Sequence, residues 1–261
     1  MKYPTTYDAD RIFLRNLVAR DIAEPLPSFD RSMPAEEARV MLLEARQSVA
    51  GVRHKGWVTG YLIVDELGAG TCADYTHPLD QAVVLADSAS LLDLTRALKE
   101  TDWVLLRILG EVSGIVTKAD LQDPPVRMWL FGMITVIELR FQKMVEEHFQ
   151  AEEWVKYMSP GRLEKAKRML EERQRRNQDS ALVDCLQFSD KAQIIARDET
   201  LRQQAGFASR NRADEGIKRM EKLRNNLAHS QSIVDTDWEV IADIADHLQR
   251  FFILGYFHND R

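Results

Sequence analysis

The run Asp123-Pro124-Pro125 limits how this chain can fold more than any other feature. Adjacent prolines end whatever precedes them, because they lack the N–H that a helix interior or central strand needs, yet they suit the first turn of a helix. The texture of the sequence changes across them. Before them, short apolar runs alternate with Gly-containing turns; beyond them, helical periodicity takes over and no strand signal of any strength occurs. A chain of 261 residues has room for two cores at roughly 150 residues per domain. The expected fold class is therefore α+β multidomain, an α/β front part followed by an all-α bundle.

Two front segments share one plan. Residues 35–43 are predicted helical, after which residues 52–54, the turn Lys55-Gly56 and residues 57–64 read as a β-hairpin. Residues 90–99 are again helical, followed by a strand over 103–109, a turn at Gly110-Glu111 and a returning strand over 112–116. The spacing of Gly60 and Gly114 marks an internal repeat of about 55 residues.

The second repeat ends in Gly114-Ile115-Val116-Thr117-Lys118-Ala119-Asp120. Backbone N–H groups at a helix start attract a phosphate, and a carboxylate suits a sugar diol. Thr117-x-x-Asp120 is equally an ordinary helix-capping arrangement. The segment resembles the G-x-x-T-x-x-D signature of CBS domains, and residues 25–123 resemble a CBS pair, partly degenerate. That resemblance implies an adenosine nucleotide as regulatory ligand, with Gly114, Ile115, Thr117 and Asp120 as its binding residues. The Thr117 hydroxyl would lie near ribose or phosphate, and Asp120 would accept from the ribose hydroxyls. The first repeat departs from the pattern, with Ile63 in place of the Thr and Glu66 in place of the Asp, so one ligand site is expected rather than two.

In the back part, residues 127–149 form a long helical pattern, apolar nearly all round at first, which suits a helix at the centre of a bundle or in a dimer interface. Ser159-Pro160 opens a charged helix ending near Asn177, and further helical pieces follow at 180–188, 189–203 and 212–228. Thr236 and Glu239, at capping-box spacing, announce a last helix. Near the end of the 212–228 helix stands Arg224-Asn225-Asn226-Leu227-Ala228-His229. On a helix Asn225 and His229 share a face, whereas Arg224 and His229 lie roughly 140° apart.

These residues match the R-x4-H motif of HEPN domains, and residues 125–258 resemble a HEPN domain. The resemblance implies a metal-independent endoribonuclease built where two copies of the motif meet in a homodimer. RNA carries its own nucleophile, the 2′-hydroxyl, so the protein need only move its proton and stabilise the charged phosphorane. His229 would serve as general base or acid, Arg224 would fork donors onto phosphate oxygens, and Asn225 would orient either one. Products would end in cyclic phosphate, and no cofactor is required. Glu138 and Arg140 either face the same cleft or form a buried ion pair.

Bulk charge narrows the alternatives. A formal net charge of −6 argues against coating nucleic acid through general electrostatics. The basic run from Arg162 to Arg176 is either a solvated helix face or a surface for structured RNA. Cys72 and Cys185 stand apart, without the spacing of a zinc site or a disulfide framework, which places the protein in a reducing cytoplasm. No signal peptide or membrane span is expected. His54, His77, His148, His247 and His258 are read as surface or packing residues. The expected organisation is an N-terminal extension over 1–24, a CBS-like pair over 25–123 and a HEPN-like domain over 125–258. The leading expectation is a ligand-regulated, toxin-like or stress-response ribonuclease; the alternative is a non-catalytic nucleotide sensor whose helical part only dimerises or binds RNA or a partner.

Overall fold

The computed structural model describes residues 17–229, 231–233, 240, 241 and 243. It divides between Arg127 and Met128 into a front unit and a helical unit. The front unit contains β1 (Glu24–Pro25), β2 (Ser28–Asp30), α1 (Ala35–Glu44), β3 (Val49–His54), β4 (Trp57–Ile63), β5 (His77–Pro78), β6 (Val84–Ala86), α2 (Leu91–Glu100), β7 (Trp103–Ile108) and β8 (Glu111–Thr117). Two four-stranded sheets result, in the orders β1-β8-β7-β6 and β2-β3-β4-β5.

Both sheets are assembled alike. A short strand pairs in parallel with the first strand of a hairpin (β2 with β3, β6 with β7), and a two-residue strand pairs antiparallel with the second (β5 with β4, β1 with β8). The registers repeat at a spacing of 54: Val49↔Ile63 corresponds to Trp103↔Thr117, and His54↔Trp57 to Ile108↔Glu111. Each hairpin slips register at the same place, after Val52 and after Leu106, leaving Thr59 and Ser113 as the extra residues of two equivalent bulges. Both turn on left-handed pairs, Lys55-Gly56 (φ 54° and 87°) and Leu109-Gly110 (φ 51° and 92°). A two-residue hairpin loop of type I′ requires that geometry. The second turn therefore sits one residue earlier than the expected Gly110-Glu111.

Residues 17–24, expected as extension, are built into this unit. Val18 bridges Ser90, the Ala19 N–H donates to Ala89 O at 2.8 Å, and β1 completes the second sheet. Residues 18–25 thus do for the second repeat what residues 71–78 do for the first, where Thr71 bridges Pro34 and β5 completes the sheet.

Burial follows the helical and strand periods. On α2, Leu91, Leu94 and Leu98 are buried, and the Ser90 hydroxyl oxygen caps the helix by accepting the Asp93 N–H at 3.1 Å. On α1, Ala35, Ala38 and Leu42 pack on Phe29, Ala50, Val52 and Leu62. A separate cluster joins the two repeats through Leu26, Val49, Tyr61, Leu105, Val112 and Ile115, with Ile63 and Trp103 against it.

The helical unit comprises α3 (Pro124–His148) from Met128 onward, α4 (Pro160–Arg175), α5 (Phe188–Arg197), α6 (Glu199–Gln204) and α7 (Arg210–Ala228). Among the described residues no strand follows Thr117. Trp129, Leu130, Met133, Ile134, Val136, Ile137, Phe141 and Val145 of α3 are buried, as expected of a helix apolar round most of its circumference. The 180–188 piece is instead a single 3-10 turn over Leu182–Cys185, because the Asp184 carboxylate accepts the Ala181 N–H at 2.8 Å and closes the turn locally. The 189–203 piece is broken at Asp198, whose carboxylate accepts the Leu201 N–H at 3.0 Å and starts α6. Apart from Val240, Ile241 and Asp243, the helix expected from Thr236 lies outside the described residues, as do His247 and His258.

Candidate functional site

The corner after β8 brings two of the four expected nucleotide residues together. Thr117 donates its backbone N–H to Asp120 Oδ2 at 2.6 Å and its hydroxyl to the same oxygen at 3.0 Å. Asp120 lies in the 3-10 turn Ala119–Gln122, and the Asp123 N–H donates back to Asp120 O at 3.1 Å. The capping arrangement is thus physically present, and it fixes the carboxylate at the end of the strand. Gly114 and Ile115 sit upstream in β8, where Ile115 is 1% exposed and belongs to the core between the repeats. Their side of any ligand contact is confined to backbone.

Strand register adds residues that no local motif marks. Trp103, half-buried, is the direct cross-strand partner of Thr117, so the two side chains share the sheet face that looks into the core between the repeats. Glu24 pairs with Ile115 from β1, and its carboxylate accepts Gln47 Nε2 at 2.9 Å. Burial pushes the Asp120 carboxyl above its ordinary value; the two Thr117 bonds pull it down, and the charges of Glu24 and Asp123 push it up again.

The first repeat answers the same position differently. Glu66 takes the place of Asp120 and His77 that of Glu24: His77 Nε2 lies 2.5 Å from Glu66 Oε2. The His77 ring stacks on Tyr61 at 5.1 Å, and Tyr61 meets Trp103 edge-on at 5.2 Å. Burial, then the charges of Glu66 and Asp80, hold the Tyr61 hydroxyl above its usual pKa. Acid faces base in one corner, and acid faces acid in the other. His77, expected as a surface or packing residue, is part of this contact set. In the helical unit His148 has a partner of its own, lying 3.4 Å from Asp198.

In the helical unit, α7 presents Ala213, Ile217, Met220, Leu223 and Leu227 to the core. Arg224 is half-buried on the flank of that stripe, whereas Asn225 and His229 are exposed. The helix ends at Ala228, and the His229 N–H donates to Asn225 O at 3.0 Å as the C-cap. Asn225 and His229 therefore share the solvent face, with Arg224 turned away from them within one chain. Glu138 does form a partly buried ion pair, with Lys191 Nζ at 3.2 Å from Oε1. Among the described residues, no group of three or more His, Cys, Asp or Glu could hold a metal ion, and no helix is long and apolar enough to cross a membrane.

The front unit is thus a pseudo-symmetric pair of strand–helix–hairpin repeats with one polar, acidic corner, followed by a helical unit. Among solved structures, the chain is similar to the CBS-pair protein CBSX2 from Arabidopsis thaliana at 19% identity, over 40% of this chain and 90% of that one, with a TM-score of 0.34. It is similar to CBSX2 in complex with AMP at 20% identity, over 40% and 92%, with a TM-score of 0.35. It is also similar to the CBS domain of the bacterial CNNM/CorC family Mg2+ transporter in complex with ATP, at 16% identity, over 46% and 94%, with a TM-score of 0.36. No family model matches the chain, and no curated protein matches it.

Proposed function

We propose that the front unit is a single-site sensor for an adenosine nucleotide and that the helical unit is what it regulates. The observation that carries this reading is the Thr117–Asp120 corner. Both Thr117 contacts fall on Oδ2, and among the described residues Asp120 Oδ1 accepts no donor, which leaves it for a ribose hydroxyl. Trp103 on the same face offers an apolar surface for a base. The first-repeat corner differs in charge, because His77 stands against Glu66 there, and it has Ile63 where the second has Thr117. Regulation requires that the nucleotide bind two arrangements of the protein with different affinity. Calorimetry with AMP, ATP and cyclic dinucleotides tests the reading. Heat of binding that disappears in Asp120→Ala supports it, and identical null traces for both proteins remove it.

A second reading concerns the output: a homodimeric, metal-independent endoribonuclease. It is favoured by the exposure of Asn225 and His229 on one face at the end of α7. In this scheme His229 takes the 2′-hydroxyl proton, Arg224 stabilises the phosphorane and Asn225 orients the reacting groups; a second copy is needed to gather guanidinium and imidazole around one phosphodiester. Total RNA incubated with the protein and EDTA should yield fragments ending in cyclic phosphate, and His229→Ala should leave it intact. RNA left whole by the unmodified protein overturns the nuclease and leaves a dimerising or RNA-binding helical part.

A further inference from the structure

Between α4 and the segment leading into α5 lies a cavity of about 240 Å³, lined by Arg162, Lys165, Met169, Cys185, Gln187 and Asp190. Arg162, Lys165 and Met169 stand three and four residues apart and so share one face of α4. Opposite them, Asp190 is only 6% exposed. Its Oδ2 accepts the Gln187 N–H at 3.0 Å and its Oδ1 accepts Arg162 Nη1 at 2.8 Å. A carboxylate so deeply placed needs a counterion, and by taking one it fixes the guanidinium at the cavity mouth with further N–H donors to spare.

Three of the other five basic residues on and just after α4 are held in ion pairs. Arg168 pairs with Glu164 at 3.4 Å, Arg175 with Glu171 at 3.7 Å, and Arg176 with Glu172 at 2.5 Å. Lys165 makes no ion pair or hydrogen bond through its ammonium among the described residues, and it lines the cavity. Arg162, Lys165 and Asp190 together leave one net positive charge there, which favours an oxyanion. The floor is apolar: Met169 and Cys185, whose thiol burial pushes above its usual pKa so that it adds no negative charge. The volume falls below the roughly 300–1,000 Å³ of pockets for larger ligands, so the occupant is compact.

We propose that this cavity binds one phosphate group, with Arg162, Lys165 and the Gln187 side chain as donors and Asp190 as the residue that positions Arg162. The phosphate belongs either to an RNA strand or to a small phosphate ester. The test is calorimetry on the full chain with inorganic phosphate and with an oligoribonucleotide of about ten nucleotides, which suffices to span several phosphates. Lys165→Met should weaken binding about tenfold and lower the salt dependence by about one phosphate contact, as expected for a residue on a phosphate. Lys167→Met, on the same helix but outside the cavity, should change neither. Binding of the oligonucleotide tighter than phosphate identifies RNA; equal or exclusive binding of phosphate identifies a small ester. Equal losses in Lys165→Met and Lys167→Met would mean general attraction to a basic helix and would overturn the proposal, as would no binding of either probe. Both lysines are exposed, so neither variant threatens folding.

Discussion

Burial, more than any neighbour, holds the Asp120 carboxyl above its ordinary value of 3.8, and Glu24 and Asp123 add to the effect against the two Thr117 bonds. A carboxyl whose folded pKa is raised keeps its proton longer in the folded state than in the unfolded one. Its stabilising contribution is complete below the ordinary value and is lost as pH rises through the raised one. Asp120→Asn should therefore flatten the fall in stability from about pH 4 upward. The check is urea midpoints across that range, and an unchanged pH slope would contradict it. Asp198 runs the other way: burial raises its pKa, but bonds from Leu201 and Tyr157 and the nearby His148 outweigh that and leave it depressed, so its contribution fades as pH falls. Lys191, 5% exposed, illustrates a buried charge with one partner. Lys191→Met strands the Glu138 carboxylate and should cost roughly 3 kcal/mol in urea denaturation, while Lys191→Met with Glu138→Met should recover most of the loss.

The equivalent hairpins impose unequal demands. A methyl group at Gly60 would lie 2.5 Å from His77 O, a backbone atom, whereas at Gly114 it would meet only side-chain atoms, at 3.1 Å or more. Gly60→Ala should thus cost about 1–3 kcal/mol and Gly114→Ala distinctly less, measured by thermal unfolding. In the turn, Leu109 is 98% exposed at φ 51°, so its side chain gains nothing while its backbone is strained. Leu109→Asn should stabilise by roughly 1 kcal/mol, because asparagine tolerates the left-handed region. These elements also show what the sequence reveals and what it hides. The hairpins and α2 were legible because alternation, Gly and an N-cap serine are local signals. The second turn falls one residue before the Gly110-Glu111 that the sequence predicts, because leucine is a poor marker of left-handed backbone. β1 and β5, two residues each, carry no local pattern, so Glu24 and His77 could not be connected with the corners they face. Trp103 entered the site only through its register with Thr117.

On the scale of the whole molecule, two copies of one plan differ in charge, and a helical unit follows them. Pseudo-symmetry would permit two ligand corners. His77 stands against Glu66 in the first, while Glu24 stands beside Asp120 in the second, acid against acid. The motifs at Thr117–Asp120 and Arg224–His229 are readable as residue strings, because each spans only a few consecutive residues. Their surroundings are not, since these come from strands and helices remote in sequence, and the proposed pairing of two Arg224–His229 motifs would need a second chain. The most direct test of the asymmetric account is the stoichiometry of nucleotide binding to the full-length chain by calorimetry. The account predicts one AMP per chain, binding lost in Thr117→Ala and retained in Glu66→Gln. Two AMP per chain, or binding that survives Thr117→Ala and vanishes in Glu66→Gln, would contradict it.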